Sequence, residues 1–519
     1  MAHAEARGTQ PAGSDFDLRS FLDRLRSCGD LTEVTERTEL GDVAHRLDGS
    51  HQAVLYTNVG KEGARLAGNV AGSRERLALA FDTEPHDLLK TVLRRLADPK
   101  GTRSVLRGEA PAQEGVHLGD DADFSRLPIH LQHRFDGGLY ISSSMDIALD
   151  PRSGLTNVGI RRLMVRGRRE AGVDLVSPSD LKAIYEHFVA ERTHMPIAFI
   201  VGSHPVDHIA ATMRIPTDEV SLMASLRGTD MPVVKCVTND LMVPADAEYV
   251  LEGYLDCAGH VEPEGPYGEF LGYYGGVKMN PVFHLTAITH RRDPIFQTST
   301  IAGPNMALTD SAQLIALRTE VTMWRALQTA IREPLNVHAT TASGGMFNVR
   351  VSMRQRVPGE ARNAIAACFG SLGNVKHVFV YDPDIDIFSD TQCEWALATR
   401  LQADRDIVVQ TGMRTLPLDP SLEGKTTGSK AGFDCTMPLA MARSMDSRVP
   451  TPPTFQGPRF ASIEAALADG PKTYEQLMTA IGTRDGREIF AVFDELRAAG
   501  RLARDETGSW MLPSGSGGA

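Results

Sequence analysis

The sequence predicts an α/β protein, α+β in the mixing of its layers, with two helix–strand layers flanking a strand-rich centre that forms a barrel or a strongly curved sheet. Three observations carry that expectation. Helical patterns alternate with short apolar runs at both ends of the chain, the middle is a succession of strand-like runs, and one clear helix interrupts them.

Residues 1–14 have no apolar stretch of the kind a secretory signal needs and read as a disordered lead-in. From 15 to 127, "DLRSFLDRLRSCGDL" and "DTEPHDLLKTVLRRLADP" repeat apolar residues at helical spacing around the run "QAVLYTNV", an N-terminal α/β domain. From 128 to 300 the texture becomes β-branched: "YISSSMDIALD", "TNVGIRRLMVRG", "IAFIVG", "VVKCVTND" and "VFHLTAITHRRDPIFQTST", with turn residues between. The interrupting helix is "SPSDLKAIYEHFVAER", opened by Ser and Asp capping chemistry. Helices and strands alternate again over 301–446, from "SAQLIALRTEVTMWRALQTAI" to "WALATRL". A proline-rich linker occupies 447–459, and 460–512 reads as three short helices and a small hairpin, which resembles a winged helix. Residues 456–519 hold seven Lys/Arg against nine Asp/Glu, so this module lacks the basic face a DNA reader needs.

At 519 residues, with 42% hydrophobic and 23% charged residues, the chain has the composition of a soluble multidomain protein, and no apolar run approaches a membrane span. Its six scattered cysteines form no CxxC pair, which argues for reduced thiols in a cytoplasm and against a zinc ribbon. The net charge of −12 makes nucleic acid an improbable partner. Neither a GxSxG elbow, a phosphate-binding GxxxxGK[ST] loop nor an HExxH helix is present. The two histidines of "GSHPVDH", His204 and His208, read as incidental to a turn.

Carboxylates and arginines on strands stand out instead. In "EGPYGEFLGYYGG", Glu264 and Glu269 are five apart, which in a straight strand would face them oppositely; a tight Gly-Pro turn could aim both to one side. In "TNVGIRR", Arg161 and Arg162 fall on opposite faces, so one of them is inward and needs an acid partner. Two acids and an arginine in an apolar, tyrosine-lined cleft would make a proton-transfer device. Spacing alone leaves this open against a solvated turn with surface ion pairs, and leaves Tyr267 and Tyr273 open between pocket lining and packing.

"EGPYGEFLGYY", with "MPVVKCVTNDLMVPADAEYVLEG", "TNVGIRR", "YDPDIDIFSDTQCEWALATR" and "GSKAGFDCT", resembles the UbiD family of reversible decarboxylases over residues 15–440. The resemblance implies a central split β-barrel that binds prenylated FMN and removal of CO2 from an α,β-unsaturated, aromatic or heteroaromatic acid. It places the catalytic set on Arg162, Glu264 and Glu269, with Glu269 as the proton donor and Arg162 and Glu264 as the ion pair beside it. Asn157, Ile160, Arg162, Glu219 and Lys430 fall where the family contacts its cofactor. A divalent cation, Mn2+ or Mg2+, would be held by Asn157, Glu219 and, where the family has histidine, Asp180, with K+ nearby. An aspartate suits a hard cation but reaches less far than imidazole, and it can instead serve the N-terminus of its helix. The resemblance further implies a flavin prenyltransferase that supplies the cofactor and assembly as a homodimer or larger homo-oligomer. The rival reading is a non-catalytic flavin- or ligand-sensing protein on the same scaffold, acting through its C-terminal module.

Overall fold

The computed structural model describes residues 15–371, 374–441 and 449–513. The lead-in read at 1–14 and the start of the linker read at 447–459 lie outside them.

The strand-rich middle is a closed barrel of six strands: β1 (Leu139–Leu149), β2 (Thr156–Val165), β3 (Glu170–Val173), β4 (Met195–Val201), β5 (Tyr249–Leu255) and β6 (Val282–His290). The order around the ring is β5, β4, β1, β2, β3, β6, every neighbour antiparallel, and β6 pairs back with β5. Closure satisfies the backbone groups that an open edge would leave unpaired. Strand alternation then sorts the side chains. One buried cluster takes residues from all six strands, among them Ile141, Leu163, Val173, Phe199, Leu251 and Leu285, and fills the barrel. Met145, Ile147, Val158, Ala198, Ile200 and Val250 belong to a second cluster that joins the outer face to the helical layers.

The helix expected between β3 and β4 is α1 (Asp180–Ala190); the Ser179 hydroxyl accepts from the Lys182 N–H at its start. Two further helices follow β4 where the sequence showed none, Pro205–Thr212 and α2 (Glu219–Arg227). They are buried on nearly every side, so they lack the one-sided apolar stripe that reveals a surface helix. His204 caps the first of them and His208 lies within it, both buried, with His208 Nε2 3.2 Å from Ser143 Oγ.

On one side of the barrel Leu31–Val34, Ala53–Val59 and Ala64–Gly68 form a sheet completed by Ile295–Thr298, which runs parallel to Ala64–Gly68. After the barrel comes α3 (Asp310–Ala330), then a five-stranded sheet ordered Pro334–Ala339, Asn348–Met353, His377–Tyr381, Thr427–Asp434 and Ile407–Arg414.

Among the described residues, Arg356–Pro358 and those from Met437 onward form a second compact unit. Helices Ile463–Ala468, Tyr474–Ile481 and Phe490–Ala498 and the paired strands Ala503–Arg504 and Trp510–Met511 enclose a core of Ile463, Leu477, Ile489, Phe493 and Leu496. Among the described residues no helix is long and apolar enough to cross a membrane.

Candidate active site

Alternation along β2 sends Arg161 and Arg162 to opposite faces, and each meets acid. Arg161 Nε lies 3.5 Å from the buried Asp146. Arg162 meets three carboxylates. Its Nε and Nη2 donate to Glu264 at 2.9 and 3.1 Å, a bidentate fork, and Nη1 donates to Glu269 Oε1 at 2.9 Å. Nη2 also lies 2.9 Å from Asp174 Oδ2, in the segment after β3. A planar guanidinium with five donors suits this convergence, which a lysine could not reproduce.

The turn between the two glutamates settles which way they face. Glu262–Glu264 pairs antiparallel with Lys278–Asn280, and Tyr267–Gly268 with Tyr274–Gly275. Gly265, at φ 98°, takes the left-handed backbone that only glycine adopts readily. The ribbon is thus folded so that Glu264 and Glu269 reach one guanidinium from the same side.

Tyr267 is buried, with the Arg162 guanidinium 4.7 Å from its ring centre and its hydroxyl donating to Gln132 at 2.7 Å. Tyr273 is 60% exposed and touches the cluster only through its carbonyl, which accepts from the Glu269 N–H at 2.9 Å. Burial raises Tyr140 and Tyr267 well above the usual phenol range, so both stay protonated. Burial also opposes the charge of Asp174, but Arg162 and Lys278 outweigh it and hold that carboxyl below its ordinary value. Arg162 loses solvation by burial, and the hydrogen bond to Glu264 with its acidic neighbours more than restores its charge.

Three members of this cluster were invisible in the sequence. Asp174, Lys278, 3.4 Å from Asp174, and Asn280, whose amide donates to Glu264 at 3.3 Å, sit in unremarkable segments, and only strand pairing delivers them.

At the other end of β2, the Glu219 carboxylate at the start of α2 accepts from the Asn157 amide at 3.0 Å and from the Val158 N–H at 2.5 Å. Burial pushes Glu219 up to about 8, the negative charges of Asp146 and Asp180 add to the push, and the Val158 bond opposes it. Asn157 Oδ1 is buried without a hydrogen-bond partner. Asp180 opens α1 as a first-turn acid. Among the described residues no group of three His, Cys, Asp or Glu side chains is spaced to hold a metal ion. Ile160 packs from β2 against the core of the outer face. Lys430 is buried on Thr427–Asp434, donates to the Phe369 carbonyl at 3.1 Å, and loses proton affinity through burial and then through Arg414.

Family models described as the N-terminal, Rift-related and C-terminal domains of 3-octaprenyl-4-hydroxybenzoate carboxy-lyase match residues 22–96, 103–305 and 312–435. An anhydromevalonate phosphate decarboxylase of Methanosarcina mazei is 31% identical over 81% of this chain and 96% of its own. The UbiD-class enzyme HmfF from Pelotomaculum thermopropionicum, in complex with FMN, superposes with a TM-score of 0.79 at 32% identity over 84% of this chain and 98% of its own. An evolved dimeric form of HmfF in complex with prFMN gives 0.75 at 30% identity, over 84% and 97%. Apo 3,4-dihydroxybenzoic acid decarboxylase (AroY) from Klebsiella pneumoniae gives 0.78 at 28% identity, also over 84% and 97%. A closed antiparallel barrel flanked by α/β layers, carrying a buried arginine among carboxylates, is here the scaffold of a non-oxidative carboxy-lyase. The chain belongs to the UbiD family of prenylated-FMN-dependent decarboxylases.

Proposed function

We propose that Glu269 delivers the proton to the carbon that CO2 leaves, while Arg162 and Glu264 hold that acid and the substrate carboxylate in register. One observation carries this reading. Arg162 binds Glu264 through two N–H groups but Glu269 through one, so Glu264 is the committed ion-pair partner and Glu269 the acid free to exchange a proton. The buried phenols of Tyr140 and Tyr267 exclude water from the same space.

The cofactor reading is supported by the flavin complexes of HmfF and by this chain's own donors. Prenylated FMN, when bound, supplies the electron sink that no side chain offers. Lys430 would meet its phosphate, and Ile160 would pack beside it. Asn157 Oδ1, buried and unpartnered, and Glu219, held short of its charge, fit a site completed by a cation. We assign Asn157, Glu219 and Asp180 to a Mn2+ or Mg2+ ion, since all three offer the oxygen ligands such ions prefer. Metal analysis of purified protein is expected to find about one such ion per chain, and the Asp180→Ala chain is expected to lose it. Full metal content in Asp180→Ala would remove that residue from the set.

The substrate is a small carboxylic acid. The relatives span a phosphorylated acid and a hydroxybenzoic acid, so an α,β-unsaturated or aromatic acid is the class to test. Protein co-expressed with a flavin prenyltransferase should release CO2 from members of such a panel. Bound flavin without turnover on any acid, and unchanged hydrogen–deuterium exchange in Glu269→Gln, would instead favour the sensing protein. We assign the C-terminal unit to a winged-helix-like module for protein contacts, on its three helices, its ribbon and its slightly acidic balance. Homo-oligomeric assembly is supported by the exposed edge strand Ile407–Arg414, and light scattering of the full chain tests it.

A further inference from the structure

Asp174 and Lys278 have no part in the proton delivery assigned to Glu269, yet both touch its ion cluster. Three carboxylates, Asp174, Glu264 and Glu269, converge on the guanidinium of Arg162. One cation among three acids would leave two negative charges uncompensated in a largely buried space, which is strongly unfavourable. Lys278 supplies the second cation, its Nζ 3.4 Å from Asp174 Oδ2 and 3.6 Å from Glu269 Oε1. Its place is built into the ribbon, because Lys278 lies directly across from Glu264 in the antiparallel register. Its side chain is 27% exposed against 7% for Glu269, so it closes the cluster on the solvent side.

The two oxygens of Glu269 are consequently unequal. Oε1 accepts from Arg162 Nη1 and faces Lys278. Oε2 accepts no hydrogen bond among the described residues. We propose that Lys278, paired with Asp174, is a positioning residue for this decarboxylase: it tethers Glu269 by Oε1 and leaves Oε2 as the oxygen that carries the proton to substrate. The inference rests on Glu269 being the proton donor. Lys278 takes no part in the proton transfer itself; after each turnover water reprotonates Oε2.

The charged and titratable groups around Glu269 set the sign of the test. Arg162 faces it from β2, Asp174 from the segment after β3, Glu264 and Lys278 from the ribbon, and Tyr267 from the turn, with the His133–Asp136 pair behind Tyr267. Removing a cation from beside a carboxyl raises its proton affinity, and removing an acid that shares the cation lowers it.

Cofactor-free, full-length protein labelled with 13C at the glutamate carboxyls gives a direct reading, the Glu269 resonance being identified by its loss in Glu269→Gln. Lys278→Met is expected to raise the Glu269 titration midpoint by about one pH unit. Asp174→Asn is expected to lower it, and Lys278→Arg to keep it near the native value. A midpoint unmoved in Lys278→Met, or raised equally in Lys278→Arg, overturns the proposal. If Lys278→Met does not fold, the Asp174→Asn shift decides by its direction: downward supports the pairing, and no shift or an upward one overturns it. No substrate enters this titration, so its outcome is separable from the role of Glu269 in turnover, which the activity of Glu269→Gln decides.

Discussion

Glu264 and Glu269 share one guanidinium but hold different stakes in it. Glu264 is fully buried and takes two N–H groups from Arg162 and a third from Asn280, so all of its bonding is committed to holding the fork. Glu269→Gln preserves shape but removes the exchangeable proton. Its turnover on a competent acid is expected to fall by a factor of about 100 to 10,000, with flavin content and melting temperature close to native. Arg162→Ala leaves three carboxylates with Lys278 as their one cation, and urea unfolding is expected to show a loss of about 3–5 kcal/mol. Asp146 makes a pH prediction. Burial raises its carboxyl from 3.8 to about 6 against the pull of Arg161, and neither oxygen finds a hydrogen bond. The folded state therefore binds this proton more tightly than the unfolded chain does. The stability it contributes is full below pH about 4 and is lost as pH rises through about 6. Asp146→Asn holds a neutral group there at every pH. Denaturant titrations should find it equal to the native chain near pH 4 and more stable by about 3 kcal/mol above pH 7.

At the scale of elements, the site depends on a narrow approach between the loop before β1 and the ribbon of Glu262–Asn280. A Cβ on Gly137 would stand 2.2 Å from the Gly265 carbonyl oxygen, and the Gly137 N–H donates to the Pro266 carbonyl at 2.7 Å. Both neighbours are backbone, so the ribbon itself must move to admit a methyl group. Gly137→Ala is expected to cost about 1–3 kcal/mol in denaturant and to reduce turnover at least as strongly as a displaced acid would. Native flavin binding and turnover in that variant would show that the approach carries no catalytic weight. The start of α1 follows from the sequence more directly, since Ser179 caps it; the structure shows that Asp218 caps α2, and that cap sets Glu219 in the first turn, where it reaches the start of β2. That α2 exists at all was hidden, because a helix buried on all sides writes no period into its sequence.

For the whole molecule, three layers converge on one strand. β2 presents Arg162 to the ribbon and, from its other face, Asn157 to α2, so a single barrel strand ties the proposed proton-delivery end to the proposed cofactor end. The C-terminal unit has its own core, with Ile463, Leu477 and Phe493 buried among its own helices. A chain ending at residue 440 is expected to retain flavin binding and decarboxylation when co-expressed with the prenyltransferase. Residues 459–513 alone are expected to melt cooperatively but weakly, as a core of this size allows. Loss of flavin from the shortened chain would instead make the tail a working part of the enzyme.

By itself the sequence determined the layer order, the capped start of α1, the strand-rich middle and the family, because periodicity, caps and long motifs are local and survive without coordinates. It also marked Arg162, Glu264 and Glu269. It left open the facing of those two glutamates, since side-chain direction after a glycine turn depends on which strands then pair. Only the tertiary structure decided that both reach one guanidinium, that Tyr267 rather than Tyr273 joins them, and that Asp174 and Lys278 join the ion cluster as a second acid–cation pair. Those groups are distant in sequence, and their energies arise from burial and proximity, which exist only once the barrel has closed.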